Sequence, residues 1–268
     1  MMQLANKTIV VTGAGSGIGR ELSLQLLQRG ANVAGVDINA DALDETRRLA
    51  GLGAGQFNGF QADITSQERI SSLPAEVLGH FGTVDGIINN AGIIQPFRPI
   101  LELTMEDINR VMAVNFYGTL YLTKAFLPLL LARPEAHIAN VSSMGGFLPV
   151  PGQTLYGAAK AAVKLLTEGL YAELKDTHVK VTVIFPGAVA TNIMQNSGLN
   201  VPKADTGGEA KFKPILPGEA AGQILRAIEK NKFRVVVGRD AWAMDKLYRL
   251  SPKYAADLIQ KKMRSLLG

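Results

Sequence analysis

The chain has 268 residues, no cysteine, 47% hydrophobic and 19% charged residues, and a formal net charge of +5. This composition excludes disulfides, thiolate catalysis and Cys-ligated zinc, and it matches a folded α/β protein rather than a disordered chain. The charge is uneven, with 15 Lys and Arg against 18 Asp and Glu in residues 1–210, but 13 against 5 in residues 211–268.

The N-terminus, MMQLANKTIVVTG, runs directly into a β-branched segment without the charged and long apolar regions of a signal peptide. KTIVVTG reads as a first strand ending in glycines, and residues 18–29 as a helix closed by Gly30. Further strands are predicted at 32–37, 56–61, 86–89, 137–142, 180–185 and 234–237, with amphipathic helical patterns between them. Near-continuous apolar strands alternating with helices imply one doubly wound parallel sheet, Rossmann-type, with helices on both faces in a single domain over 1–268. The apolar stretch 121–132 is interrupted by Lys124 and Pro128 and is too short to span a membrane, so a soluble, cytoplasmic protein is expected. Residues 192–217, rich in glycine and proline, read as a mobile loop placed to cover a ligand.

The turn after the first strand reads Thr12-Gly13-Ala14-Gly15-Ser16-Gly17-Ile18-Gly19. Glycines allow a tight turn and close approach to a pyrophosphate, and the following helix offers N–H donors and its positive dipole end. The next strand ends at Asp37, where a carboxylate can accept hydrogen bonds from an adenosine ribose. A 2′-phosphate there would meet repulsion of roughly 3 kcal/mol per unit charge before screening. Ser16, Ile38 and Asn39 bring no cation, so NAD is favoured over NADP.

Tyr156 and Lys160 stand four residues apart in TLYGAAKAAVKLL, on one helix face, and Ser143 ends the strand-like run HIANVSS. A phenol with a pKa of about 10 must be lowered by roughly 2 to 3 units to act as a base near neutrality. The Lys160 ammonium, together with a cationic nicotinamide, is expected to supply that shift. Hydride would then leave a substrate carbon for nicotinamide while Tyr156 removes the hydroxyl proton and Ser143 stabilises the oxygen. Each residue also has a bland reading, as a strand end, a half-buried helix residue or a solvated charge.

On these motifs the chain resembles the short-chain dehydrogenase/reductase family over about residues 6 to 190. It carries Thr-Gly-x-x-x-Gly-x-Gly from Thr12 to Gly19, Asn-Asn-Ala-Gly from Asn89 to Gly92, and Tyr-x-x-x-Lys from Tyr156 to Lys160. The resemblance implies that Ser143 orients the substrate oxygen, Tyr156 exchanges its proton, and Lys160 holds the nicotinamide ribose while lowering the Tyr156 pKa. It implies that Asn115 kinks a long helix and anchors a proton-relay water. Cofactor contacts are implied for Gly13, Ser16, Gly17, Ile18, Gly19, Asp37, Asp63, Ile64, Asn90, Ala91, Gly92, Pro186, Gly187, Val189 and Thr191. It also implies a homodimer or homotetramer, through helices around residues 105–131 and 154–175.

The expected pocket wall comprises Gln95, Met144, Phe147 and Met194, with Ile94, Pro96, Phe97, Leu148 and Leu199 beside them. It is mostly apolar, which favours a hydrophobic secondary alcohol or ketone over a sugar. Three histidines, His80, His137 and His178, form no metal-ligand spacing, and no metal is expected. The basic tail over 240–268 places Tyr254, Leu258, Ile259, Met263, Leu266 and Leu267 at helical spacing among Lys261, Lys262 and Arg264. A helix docked on its own domain or a second subunit is favoured there over one attracted to anionic lipid, and nucleic acid is not expected. Alternatives are a nucleotide-sensing scaffold without turnover, a peripheral membrane dehydrogenase acting on lipid-like substrate and, more distantly, a glycine-turn methyltransferase.

Overall fold

Five consecutive buried residues, Thr8–Thr12, form the first strand, β1, as a β-branched run does when the sheet is covered on both faces. The computed structural model describes residues 2–51, 56–199 and 213–263. From β1 the chain passes through α1 (Gly17–Gln28), β2 (Asn32–Asp37), α2 (Ala40–Ala50), β3 (Phe57–Gln61), α3 (Gln67–Phe81) and β4 (Gly86–Asn89). Then follow α4 (Met105–Met112), α5 (Gly118–Leu131), β5 (Ala136–Val141), α6 (Thr154–Glu173) and β6 (Val179–Pro186). A single helical turn, α7 (Ile193–Asn196), precedes α8 (Pro217–Glu229), β7 (Arg234–Val237), α9 (Arg239–Leu250) and α10 (Pro252–Met263).

All seven strands run parallel in the order β3-β2-β1-β4-β5-β6-β7. The strand period of two sorts the core into halves. Ile9 and Val11 of β1 face Leu22 and Leu26 of α1 and Ile224 and Leu225 of α8, while Val10 faces the layer of Leu73, Leu122 and Phe126 from α3 and α5. The strand order reverses between β1 and β4, which opens a crevice at their carboxyl ends. The predicted site motifs follow those two strands.

Two sequence expectations need correction. The stretch 192–217 is not uniformly irregular, because α7 lies within it and Val189 bridges Ile215, with Ala190 N donating to Ile215 O at 2.9 Å. Residues 200–212 of that stretch lie outside the described residues. The tail forms two helices, and α10 turns Ala255 and Ile259 onto Leu148 while leaving Tyr254 exposed. Arg264, Leu266 and Leu267 lie outside the described residues. Among the described residues, no helix is long and apolar enough to cross a membrane.

Candidate active site

The glycine turn leaves room for backbone only. Gly13 and Gly17 adopt φ of 68° and 52°, and a Cβ on Gly19 would lie 2.0 Å from Gly13 O. Ser16 is the N-cap of α1 but makes no side-chain hydrogen bond to the first helical turn, which Gly17, Ile18 and Gly19 open. Asp37 Oδ2 accepts from Gly15 N at 2.9 Å and Oδ1 from Asn39 N at 3.0 Å, so the β2 carboxylate is fixed against the turn. Asp63 Oδ1 accepts from Thr65 N and Thr65 Oγ1, both at 2.8 Å. The Ile64 side chain is buried, and a Cβ on Gly118 would meet its Cδ1 at 2.6 Å, so only the backbone of residue 64 is suited to a ligand contact.

Thr12 joins the two motif loops. Its Oγ1 accepts from Asn90 N at 2.9 Å and Ala91 N at 3.0 Å, and Asn90 Nδ2 donates to Thr12 O at 2.9 Å. Gly92 stands between Asn115 and Lys160, since a Cβ there would lie 2.7 Å from Asn115 Oδ1 and 3.1 Å from Lys160 Nζ. Asn115 is fully buried in a π-helical turn, Ala113–Tyr117, that joins α4 to α5. Its amide donates to Val111 O and Ile93 O, each at 2.9 Å, so the widened turn is held open by a side chain that also grips the loop after Gly92.

Ser143, extended at the end of β5, accepts from Gly145 N at 3.1 Å. A Cβ on Gly145 would lie 3.5 Å from the Tyr156 ring and 3.6 Å from Ser143 Oγ, so this glycine lets the two hydroxyl-bearing residues share one space. Lys160 Nζ lies 5.9 Å from the Tyr156 ring centroid and donates to Val141 O at 3.0 Å. The expected electrostatics are not met here. Burial pushes the Tyr156 phenol above its ordinary value, opposed by a hydrogen bond with Ser143. The Lys160 ammonium is pushed down to about 8 by burial. Its hydrogen bond to Val141 O aims it at the strand rather than at the phenol oxygen, and burial dominates both groups.

Pro186 ends β6, and Gly187 packs so closely on Asp240 that a Cβ would lie 2.3 Å from its Oδ1. Asp240 Oδ2 accepts from Ala188 N at 2.7 Å, which holds this segment beside the crevice. Thr191 then faces Gly17, where a Cβ would meet its Cγ2 at 3.2 Å, and Asn196 Nδ2 donates to Ser16 Oγ at 2.9 Å. The segment containing Val189 and Thr191 therefore leans over the glycine turn.

The expected pocket wall is only partly realised. Gln95 is fully buried and both ends of its amide are hydrogen-bonded within the protein, so it lines no cavity. Phe147 packs on Phe185 and Tyr248 at ring separations of 5.5 and 6.1 Å, and Leu148 is buried under α10. Met144 is half-buried against the same cluster, whereas Met194 is 38% exposed on α7. Thr12, Asp240, Gln153 and Ser197 also hold the site together, and of these only Thr12 belongs to a motif visible in the sequence. Ser197 is buried, its Oγ accepting from Ile94 N at 3.0 Å and its carbonyl from Arg110 Nη2 at 3.1 Å. Among the described residues no group of three or more His, Asp or Glu is placed to hold a metal.

A doubly wound sheet with these motifs at its switch point defines the class of protein, and the chain belongs to the short chain dehydrogenase family, which it matches over residues 7–201. It is 39% identical over 238 residues to dehydrogenase/reductase SDR family member 7B of Mus musculus, covering 87% of this chain and 71% of that protein. It is 34% identical over 244 residues to 1-deoxy-11-beta-hydroxypentalenate dehydrogenase of Streptomyces exfoliatus, covering 90% of this chain and 86% of that one. A solved short chain dehydrogenase/reductase from Burkholderia phymatum in complex with NAD superposes with a TM-score of 0.84 at 26% identity, over 95% of this chain and 96% of its own.

Proposed function

We propose that this member of the family is an NAD-dependent enzyme interconverting a hydrophobic secondary alcohol and its ketone, with Tyr156 as the proton-transfer group. The observation carrying the reading is the convergence of Ser143, Tyr156, Lys160 and Asn115 around Gly92 and Gly145, beside the glycine turn. The residues fit the dinucleotide. Gly13, Gly17 and Gly19 provide a cradle that side chains would fill, the first turn of α1 provides donors for a pyrophosphate, and Asp37 provides an acceptor for ribose hydroxyls.

NAD, when bound, takes up the hydride released from the alcohol carbon. Tyr156 accepts the hydroxyl proton in oxidation and returns it to the carbonyl oxygen in reduction, while Ser143 donates a hydrogen bond to that oxygen. Lys160 must turn its ammonium from Val141 O toward the ribose and phenol, offsetting the burial that holds Tyr156 protonated. Asn115, Asp63, Asn90, Ala91, Pro186 and Val189 complete the site as positioning or cofactor contacts. Half-buried Met144 beside Ser143 and part-exposed Met194 on α7 support a hydrophobic substrate. The relative named as a hydroxypentalenate dehydrogenase supports it too.

Exposed Tyr117, Leu131, Leu165 and Tyr171 on and beside α5 and α6 support association into a homodimer or homotetramer as part of this reading. Reduced-nicotinamide absorbance with NAD and a panel of secondary alcohols tests the activity. Tyr156→Phe is expected to lower kcat by about 100-fold or more while NAD binding persists. Retained turnover in that variant would remove Tyr156 from its role, and NAD binding without turnover across the panel would favour a nucleotide-binding scaffold.

A further inference from the structure

Helix α6 carries Tyr156 and Lys160, but the residue at its N-cap does not cap it. Gln153 makes no side-chain hydrogen bond to the first turn, and it is none of the short polar residues that ordinarily do so. The acceptor comes from another loop. Gln95 Oε1 accepts from Leu155 N at 2.8 Å and from Tyr156 N, the amide of the proton-transfer residue itself, at 2.9 Å. Gln95 Nε2 donates to Gly152 O at 2.8 Å, and Gln153 Nε2 donates back to Gln95 O at 2.8 Å. Gln95 is 0% exposed and Gln153 4%, so water does not compete for these groups.

The loop that supplies this cap leaves β4 through Asn90, Ala91 and Gly92, and its next three residues each hold a different part of the site. Ile93 is bonded by Asn115 through its carbonyl at 2.9 Å and its amide at 3.3 Å. Ile94 N donates to Ser197 Oγ in the segment over the crevice, and Gln95 closes on α6.

We infer that Gln95 is a positioning residue for Tyr156, a detached N-cap that fixes the first turn of α6 to the cofactor loop. The inference rests on the reading of Tyr156 as the proton-transfer group. The phenol hangs from the third residue of α6, so the register of that turn sets its distance from Ser143 and from a substrate oxygen. Near-attack geometry is sensitive to displacements of about 1 Å.

The test compares wild type with Gln95→Leu, which removes the acceptor, and Gln95→Glu, which keeps it but replaces the donor to Gly152 O with a second oxygen and, when ionised, adds a buried negative charge. Gln95→Leu is expected to lower kcat by about 10- to 100-fold with KM for NAD within about twofold, and Gln95→Glu to restore turnover to within about tenfold of wild type. Amide exchange at Leu155 and Tyr156 is expected to accelerate in Gln95→Leu and stay slow in Gln95→Glu. Turnover of Gln95→Leu within about twofold of wild type, or unchanged amide exchange at Leu155 and Tyr156 in that variant, overturns the inference. If Gln95→Leu does not fold, Gln95→Glu decides: fast exchange at the two amides overturns the cap, and slow exchange with turnover supports it. If wild type turns over no substrate, the enzymatic reading fails on its own. Exchange and the phenolate absorbance of Tyr156 then decide, wild type minus Tyr156→Phe. Unchanged exchange and titration in Gln95→Leu overturn the inference, and accelerated exchange with a displaced midpoint supports it.

Discussion

His137 links stability to pH in a way that can be worked out from its neighbours. It is buried in β5, and Nε2 lies 2.8 Å from Thr182 Oγ1. The Thr182 hydroxyl hydrogen is already engaged, donating to Lys232 O at 2.6 Å, so Thr182 accepts from His137 and the ring carries its proton on Nε2. In this neutral ring Nδ1 is a buried acceptor at which, among the described residues, no donor is directed, while Asn231 offers a hydrogen bond that favours the charged ring. Burial depresses the His137 pKa from 6.5 to about 4, opposed by Asn231 and reinforced by Lys180. Because the folded value lies below the unfolded one, the neutral ring stabilises the fold fully above the unfolded pKa, and this contribution is lost as pH falls through the window from 6.5 to about 4. A depression of that size corresponds to about 3 kcal/mol over the whole window, of which about 2 kcal/mol is lost between ~pH 7 and ~pH 5. His137→Leu removes the titration and leaves the Thr182 bond to Lys232 intact. Urea unfolding at fixed protein concentration, with the slope checked for constancy, reads the difference. Wild type is expected to lose about 2 kcal/mol more than His137→Leu over that pH step, and an equal loss in both proteins would refute the assignment.

The adenosine end and the proton-transfer group give two further tests. Asp37→Ala is expected to raise KM for NAD by about 10- to 100-fold, the equivalent of a charge-assisted hydrogen bond pair, and to narrow discrimination against NADP. An unchanged ratio of the two cofactors' kcat/KM would place ribose recognition elsewhere. Because burial holds the Tyr156 phenol protonated, kcat/KM for alcohol oxidation is expected to climb with pH across the neutral range. Ketone reduction is expected to stay flat across neutrality because the protonated phenol, the donor in that direction, is fully populated below its raised pKa, and an oxidation profile flat across neutrality would exclude Tyr156 as the titrating base.

The elements whose identity depends on local pattern were readable from the chain itself. The β-branched run of β1, the glycines whose positive φ or crowded Cα admits no side chain, and the i,i+4 pair on α6 all follow from residues close in sequence. Strand ends shifted by a residue or so, as at β5, because they are set by the ladder with a neighbour, where Ala136 pairs with Val179. The tail helix was legible as amphipathic, but its register on the domain was not. Tyr254 belonged to the apolar stripe by spacing, yet it faces solvent, and Ala255 and Ile259 make the contact with Leu148.

What local pattern could not supply is the sign of an interaction that depends on burial or on a distant partner. Tyr156 and Lys160 share a helix face, as their spacing requires, but burial raises one and lowers the other, and Val141 O competes for the ammonium. Gln95 shows the same limit in its clearest form. By position it follows the cofactor loop among apolar residues and so reads as a pocket wall. Its partners Gly152, Leu155 and Tyr156 are remote in sequence and offer backbone groups, which leave no trace in residue identity. The polar residue in an apolar stretch was the available signal, and it pointed to a satisfied buried amide, which is where buried amides generally belong. The same reasoning explains why the substrate is less legible than the chemistry. The proposed proton transfer rests on a few side chains at set spacing, whereas the surroundings of Met144 depend on how α9 and α10 pack on it.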